Sequence, residues 1–369
     1  MSNLARLLKE SWTLVEEHQD KLASYFYAQV FLSNPQLREL FPIHMDLQRT
    51  RLLAAIVTAV QTVDDPERFD EYLHSLGRDH RKFHVRPEHY GAVGEALLDA
   101  LRTFGGADWS VEFDQAWRDG FEIIAHKMMT GAAADSTNPP YWHAEVLYHE
   151  RRSPDLAVIT CRPLQSLEFR AGQYVSVECK YQPRLWRQYS MANAPRKDGS
   201  LDFHVRALAG GWVSSSLVRR VRPGDMLRIG APMGSMTLDR RSTRDIVCVA
   251  GGTGLAPIKA LIEELTRANR TRWVHLFFGG RDRDDLYDLA CLDRLATRYP
   301  WLSVVTACSD DPEYSGERGK ISDVLRRYGP WPDHDFFVSG PPSMVRSTLG
   351  AIAEMQVPAI RVKYDAFGS

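Results

Sequence analysis

Ala250-Gly251-Gly252-Thr253-Gly254-Leu255-Ala256-Pro257 is the stretch that decides the C-terminal fold. It follows the apolar run 246–250 and opens a helical pattern expected to begin at Pro257. A buried strand that ends in glycines and turns into a helix is the first unit of a nucleotide-binding sheet. Gly252 and Gly254 let the main chain approach a pyrophosphate, and the helix N-terminus adds partial positive charge. Pro257 replaces the third glycine of the dinucleotide fingerprint and suits the first helical position. The next strand runs into Phe278-Gly279-Gly280-Arg281, so no acid stands ready for a ribose; Arg281 could face that ribose instead. A tight turn with no ligand is the alternative. Downstream, expected strands at 273–278, 302–307, 335–339 and 360–364 alternate with helices at 286–299, 321–328 and 343–355. That alternation predicts a doubly wound parallel sheet.

Upstream the period drops to two. Segments 142–148, 156–161, 173–179, 201–206 and 226–229 read as short strands punctuated by glycine and proline. They predict a small antiparallel barrel or sandwich ending near Leu238. Small residues at 131–138 followed by Pro139-Pro140 read as a linker. Before it, apolar residues recur at helical spacing, as in Leu4, Leu7, Leu8, Trp12 and Val15. Residues 1–130 are therefore expected to be all-α, with six to eight helices.

The 369 residues suit two or three domains. A net charge of −1 argues against nucleic-acid binding. The charge is uneven, with residues 1–135 at −7 and the remainder at +6. Opposite signs can steer segments together, or simply mark two solvated surfaces. Five cysteines without a C-x-x-C give no zinc or disulfide framework. There is no signal-like N-terminus and no apolar stretch of membrane-spanning length. A cytoplasmic monomer without a transmembrane segment is expected.

Four elements in order carry a resemblance to the ferredoxin–NADP⁺ reductase superfamily: Gly251-Gly252-Thr253-Gly254 with Pro257, Arg187-Gln188-Tyr189-Ser190, Ser339-Gly340-Pro341-Pro342, and the terminal Tyr364-Asp365-Ala366-Phe367-Gly368-Ser369. The resemblance implies FAD in the barrel and NAD(P)H on the parallel sheet. Tyr174 and Tyr189 would present aromatic faces to the flavin, Arg187 would pair with the diphosphate, and Ser190 would lie near flavin N5. Gln188 and Val205 join that set, and Gly211, Val213 and Ser214 open a helix toward the diphosphate. Phe367 would cover the flavin, with Ser339, Gly340 and Pro341 beside nicotinamide. Ser339 stands in place of the superfamily's cysteine, and Asp365 in place of its glutamate.

In the helical segment, His80 shares an apolar stripe with Leu73, Leu76 and Phe83, a place where a histidine can meet a flat cofactor. His74, His84 and His89 lie close by, so spacing alone does not select His80. The whole chain resembles the bacterial flavohaemoglobins. The segment 21–41 matches their stretch with the distal tyrosine and the haem-packing phenylalanine, which become Tyr27 and Phe41. Gln48 becomes the second distal polar group, Leu52 a haem neighbour, His80 the iron ligand and Tyr90 its orienting partner. The family's proximal glutamate falls at Ala134 by gap-free counting, beside Asp135, which a one-residue shift would make its substitute. The implied domains are a globin at 1–135, an FAD-binding β-barrel at 136–239 and an NAD(P)H-binding domain at 240–369.

The resemblance implies electron passage from NAD(P)H through FAD to haem b, with dioxygen and nitric oxide as small-molecule substrates and nitrate as product. The changed proximal carboxylate and Ser339 leave open a reductase of peroxides or another acceptor. A globin-gated flavin reductase acting as a sensor is a third possibility.

Overall fold

The computed structural model describes residues 3–269 and 271–367. Gly368 and Ser369, the end of the terminal motif, lie outside the described residues. The chain divides into two compact units. One runs to Tyr141 and includes Pro183–Leu185; the other comprises Trp142–Gln182 and the chain from Trp186 onward.

The first unit is helical: α1 (Asn3–Val15), α2 (Gln19–Ser33), α3 (Asp46–Thr62), α4 (Pro66–His80), α5 (Pro87–Gly105) and α6 (Val111–Ala134). Prolines at the first position of α4 and α5 lose nothing, because an N–H there has no acceptor within the helix. Asp65 and Ser110 cap α4 and α6 by accepting the Arg68 and Phe113 amides. Leu8, Leu22, Phe26, Val30, Leu97, Leu101 and Trp117 fill the common core. The Trp117 indole donates to buried Ser11 Oγ at 2.8 Å, tying α6 to α1.

Helices α4 and α6 cross at glycines. A Cβ on Gly77 would fall 1.9 Å from the Met128 carbonyl oxygen, and one on Gly131 would fall 2.3 Å from that of His74. Each glycine sits against the other helix's main chain.

In the second unit, β1 (Trp142–Ser153), β2 (Leu156–Pro163), β3 (Tyr174–Cys179), β4 (Arg187–Ser190), β5 (Leu201–Arg206) and β6 (Met226–Ile229) form an antiparallel sheet ordered β4-β3-β6-β1-β2-β5. A bridge between Met191 and Phe203 brings its edges together, so the barrel is nearly closed. Helix α7 (Trp212–Arg219) follows β5. The sequence reading missed β4, whose four residues are too few to show alternation. It also stopped β1 five residues early, because the far end of that ribbon is exposed and polar.

The parallel sheet contains β7 (Asp245–Gly251), β8 (Val274–Gly280), β9 (Leu302–Cys308), β10 (Glu317–Arg318), β11 (His334–Gly340) and β12 (Val362–Ala366), ordered β10-β9-β8-β7-β11-β12. Helices α8 (Leu255–Ala268), α9 (Leu289–Arg298), α10 (Ile321–Tyr328) and α11 (Pro342–Glu354) connect them. Along β7, Ile246, Cys248 and Ala250 face one core while Val247 and Val249 face another. Burial on both faces is why that strand is continuously apolar. Helix α8 starts at Leu255, two residues before the expected Pro257. Pro257 thus occupies the third helical position, still inside the turn whose amides lack helical acceptors. Among the described residues, no helix is long and apolar enough to cross a membrane.

Candidate active site

In the helical unit, α4 delivers His80 at its last position. The ring Nδ1 lies 2.8 Å from the Leu76 carbonyl. A carbonyl only accepts, so Nδ1 carries the proton and Nε2 keeps its lone pair for a metal. Burial, partly opposed by Asp79, holds the imidazole below its ordinary pKa and therefore neutral, the state a ligand needs. Phe83 meets the ring edge-on at 5.9 Å. The neighbouring histidines differ. His89 Nδ1 accepts the Arg86 amide at the start of α5, and His84 is exposed in a left-handed turn.

Tyr90 packs against Phe69, Leu73 and Met128, and burial raises its phenol. The bond that orients His80 through Nδ1 comes from Leu76, not from Tyr90. Asp135 is likewise engaged elsewhere: it ends α6, pairs with the half-buried Arg81 and accepts from Asn138 Nδ2. The Asp135 carboxylate thus meets Arg81 and Asn138 in this structure. Arg81 follows His80 directly, and a guanidinium captures a nearby carboxylate more strongly than a neutral phenol or imidazole does.

On α2, Tyr27 is buried and its hydroxyl donates to the Gln48 main-chain oxygen at 3.2 Å. Burial, countered by Arg49 and Arg51, pushes this phenol far up, so it keeps its proton and remains a donor. Phe31 stacks on Tyr27 at 6.0 Å, and Phe41 meets it edge-on at 5.5 Å. Arg38 holds this box by donating to the carbonyls of Phe41, Pro42 and Ile43 while lying over Phe31. Gln48 and Leu52 are half-buried on α3, four residues apart and so on one face. The roles of Phe31, Arg38 and Leu76 were not read from the sequence, because each follows from a contact made after folding.

In the second unit, β3 and β4 set Tyr174 opposite Ser190 and Val175 opposite Tyr189. Arg187 is half-buried, its guanidinium donating to the Trp186 carbonyl, and burial disfavours its charge. Gln188 points outward. Ser190 Oγ and Ser339 Oγ are buried without a hydrogen-bond partner of acceptable geometry among the described residues. Ser339 pairs in register with Asp365 on one side and Ala250 on the other. Asp365 lies beside Ser190; burial raises its carboxyl and the serine hydroxyl works against that rise. Phe367 donates its amide to the Gly340 carbonyl at 3.0 Å, which fixes the chain end beside β11.

Gly254 presses on that same strand end, since a Cβ there would lie 2.2 Å from the Ser339 carbonyl oxygen. Gly252 takes a left-handed φ of +52° with open space above it, and Gly251 and Thr253 complete the turn. Pro341 precedes α11. Val205 and Val213 are buried, while Ser214 Oγ accepts the Leu208 amide and donates to the Gly211 carbonyl. At the end of β8, Arg281 gives both its amide and its Nε to Asp285, which also pairs with Arg206.

Residues 24–128 match the globin family, 144–238 the oxidoreductase FAD-binding domain and 248–349 the oxidoreductase NAD-binding domain. A flavohaemoprotein of Bordetella pertussis is 28% identical over 391 aligned positions, covering 98% of this chain and 97% of the relative. Over its whole length the chain is similar to the flavohaemoproteins, with a globin segment followed by FAD-binding and NAD-binding oxidoreductase segments. The crystal structure of a flavohaemoglobin from Malassezia yamatoensis, solved with bound FAD and haem, shares the fold at a TM-score of 0.83 and 17% identity, covering 100% of this chain and 99% of that one. The reductase part alone resembles the electron transfer component of a Pseudomonas putida xylene/toluene monooxygenase, 35% identical over 225 positions, covering 59% of this chain and 63% of that one.

With globin, FAD-binding and NAD-binding segments in that order, the chain is an NAD(P)H-dependent oxidoreductase that carries electrons from NAD(P)H through FAD to haem. Its residues fit those groups. The lone pair on His80 Nε2 and the buried Tyr27 donor suit haem. The buried Ser190 hydroxyl beside Asp365 and the half-buried Arg187 suit the flavin and its diphosphate. The orphaned Ser339 hydroxyl and the Gly251–Gly254 turn suit nicotinamide and pyrophosphate.

Proposed function

We propose that the chain is a flavohaemoprotein of the nitric oxide dioxygenase type, using NAD(P)H to turn nitric oxide and dioxygen into nitrate. The observation that carries the proposal is Tyr27, a phenol kept protonated inside an aromatic box on the distal side. When bound, haem supplies the iron at which the two gases react, and FAD divides a two-electron donor into single-electron deliveries. Tyr27 contributes a hydrogen bond to a polar diatomic ligand, and Phe31, Phe41 and Leu52 exclude water around it. His80 is oriented by a neutral carbonyl rather than a carboxylate. An imidazole so held would lend a bound haem iron less electron density than one paired with a carboxylate, which disfavours the peroxide-reductase alternative.

Replacing Tyr27 by phenylalanine is expected to speed dioxygen release at least ~10-fold, the equivalent of one hydrogen bond of about 1.5 kcal/mol. Stopped-flow ligand displacement measures that rate, and NADH-dependent loss of nitric oxide measures the activity. A wild-type protein whose haem becomes ferrous with NADH but removes no nitric oxide in air would refute the proposal.

The donor we propose is NADH. Asp285 already engages Arg281, and Asp282 and Asp310 add negative charge around that guanidinium. A 2′-phosphate arriving there would meet a neutralised arginine among acids. The expected kcat/KM ratio for flavin reduction favours NADH by at least ~10-fold, about 1.4 kcal/mol. Asp310→Asn should narrow it. Equal ratios for the two nucleotides in the wild type would count against this assignment.

A further inference from the structure

At the C-terminal ends of β7 and β11 lies the nucleotide turn. At their N-terminal ends lies a cavity of about 750 Å³. Its walls carry Arg170, Arg240, Arg241, Arg244, Arg361 and Lys363, against the acids Asp239 and Asp335. A neighbouring cavity of about 680 Å³ shares Arg170, Leu238, Asp239 and Arg240 with it. We propose that this cavity binds a multiply charged phosphoryl anion between Lys363 and Arg170, separately from the dinucleotide.

The cations here are short of counter-charge. Asp335 is taken by Arg244 and Arg272, at 2.9 and 2.8 Å, and by the Ser242 hydroxyl. Arg240 pairs with Glu264 and Arg361 with Asp333. Asp239 accepts the Arg241 amide. That leaves Lys363 and Arg170, whose partners among the described residues are neutral: Lys363 Nζ donates to the Thr237 carbonyl at 2.6 Å, and Arg170 Nη2 to the Leu238 carbonyl at 3.0 Å. The two cations repel one another. Burial and the Arg170 charge push the Lys363 ammonium below its ordinary pKa, and the charges of Asp239 and Asp335 only partly oppose them. A carbonyl dipole does not relieve like-charge repulsion, whereas an anion placed between the two groups does.

The ligand class follows from the donors. A planar guanidinium and a rotatable ammonium lining one cavity offer several N–H groups, which matches the multiple oxygens of a phosphoryl group. Arg241, exposed at the rim, adds a further cation for a second phosphoryl. The volume accommodates pyrophosphate or a nucleoside polyphosphate. Lys363 stands two residues before Asp365 on β12, so an anion there would be held by the strand that also carries the carboxylate beside Ser190.

The test uses the full chain loaded with haem and FAD and saturated with NAD⁺, so the dinucleotide turn is occupied. Pyrophosphate is titrated calorimetrically in a low-salt, phosphate-free buffer. One saturable site is expected, weakened at least ~10-fold in Lys363→Met/Arg170→Met through loss of two charge-assisted contacts. Lys363→Arg keeps the charge and should retain binding. Arg241→Ala changes only the exposed rim, so it should weaken binding even if the double variant fails to fold. ATP titrated in parallel separates the sources: equal affinity assigns a free oligophosphate, and markedly tighter ATP assigns a nucleotide. Absence of saturable binding in the wild type, or unchanged affinity in all the charge-removing variants, would overturn the proposal.

Discussion

Replacing His80 by alanine is expected to leave NADH-driven reduction of the flavin intact and to abolish reduction of the haem. Removing a partner that merely orients a metal ligand costs roughly 10–100-fold in affinity or activity, so removing the ligand itself should cost at least ~100-fold. The visible spectrum of anaerobic protein mixed with NADH reads both cofactors in one experiment: flavin absorbance should bleach at the wild-type rate, while ferrous haem bands fail to appear. The prediction rests on the Nδ1–Leu76 bond, which leaves Nε2 as the free lone pair at the end of α4. It also separates His80 from its neighbours. His84 is exposed and His89 is engaged at the start of α5, so neither should take over. Wild-type haem spectra in the alanine variant would show that another residue holds the iron.

Gly77→Ala should be the most damaging single methyl group in the helical unit. Its Cβ would lie 1.9 Å from the Met128 carbonyl oxygen, and the obstruction is backbone, which cannot rotate aside. The reciprocal contact of Gly131 with His74 closes the other side of the crossing, so α4 cannot simply slide. Overpacking costs about 1–3 kcal/mol where side chains can yield, and here about 3 kcal/mol or more is expected. Because α4 ends in His80, the strain should also appear as weaker haem retention. Urea unfolding followed through the haem absorbance, with flavin fluorescence recorded separately, checks this without assuming that both units melt together. A haem transition unmoved from wild type would mean that α4 and α6 tolerate wider spacing. In an exposed helix the same substitution would be stabilising by about 1 kcal/mol, so even the sign depends on the crossing.

These two residues show where sequence reading succeeds and where it stops. His80 was legible as a candidate because burial on one helical face leaves a period in the sequence, and that period holds whatever the helix later meets. Gly77 lay on the same stripe, yet its role depends on a carbonyl fifty-one residues further along. The glycine turn after β7 was legible for a similar reason: strand, turn and helix are contiguous, and their chemistry is local. The four-residue β4 was not, since its pairing with β3 is set by a neighbour rather than by its own pattern. The partner of Asp135 was not legible, because it is chosen by competition. Position put it near His80, and Arg81 won it.

The sequence by itself determined the order of folds, the nucleotide turn, the candidate aromatic and polar residues for the two redox groups, and the family they resemble. Local periodicity and contiguous motifs carry that information. Only the tertiary structure decided that Leu76 orients His80, that Arg81 holds Asp135, that Ser190, Ser339 and Asp365 come from three separate strands to one region, and that Lys363 and Arg170 line one cavity while donating to main-chain carbonyls. Hydrogen bonds and ion pairs are exclusive: each donor settles on one acceptor according to distance and burial, and neither quantity exists until the chain has folded.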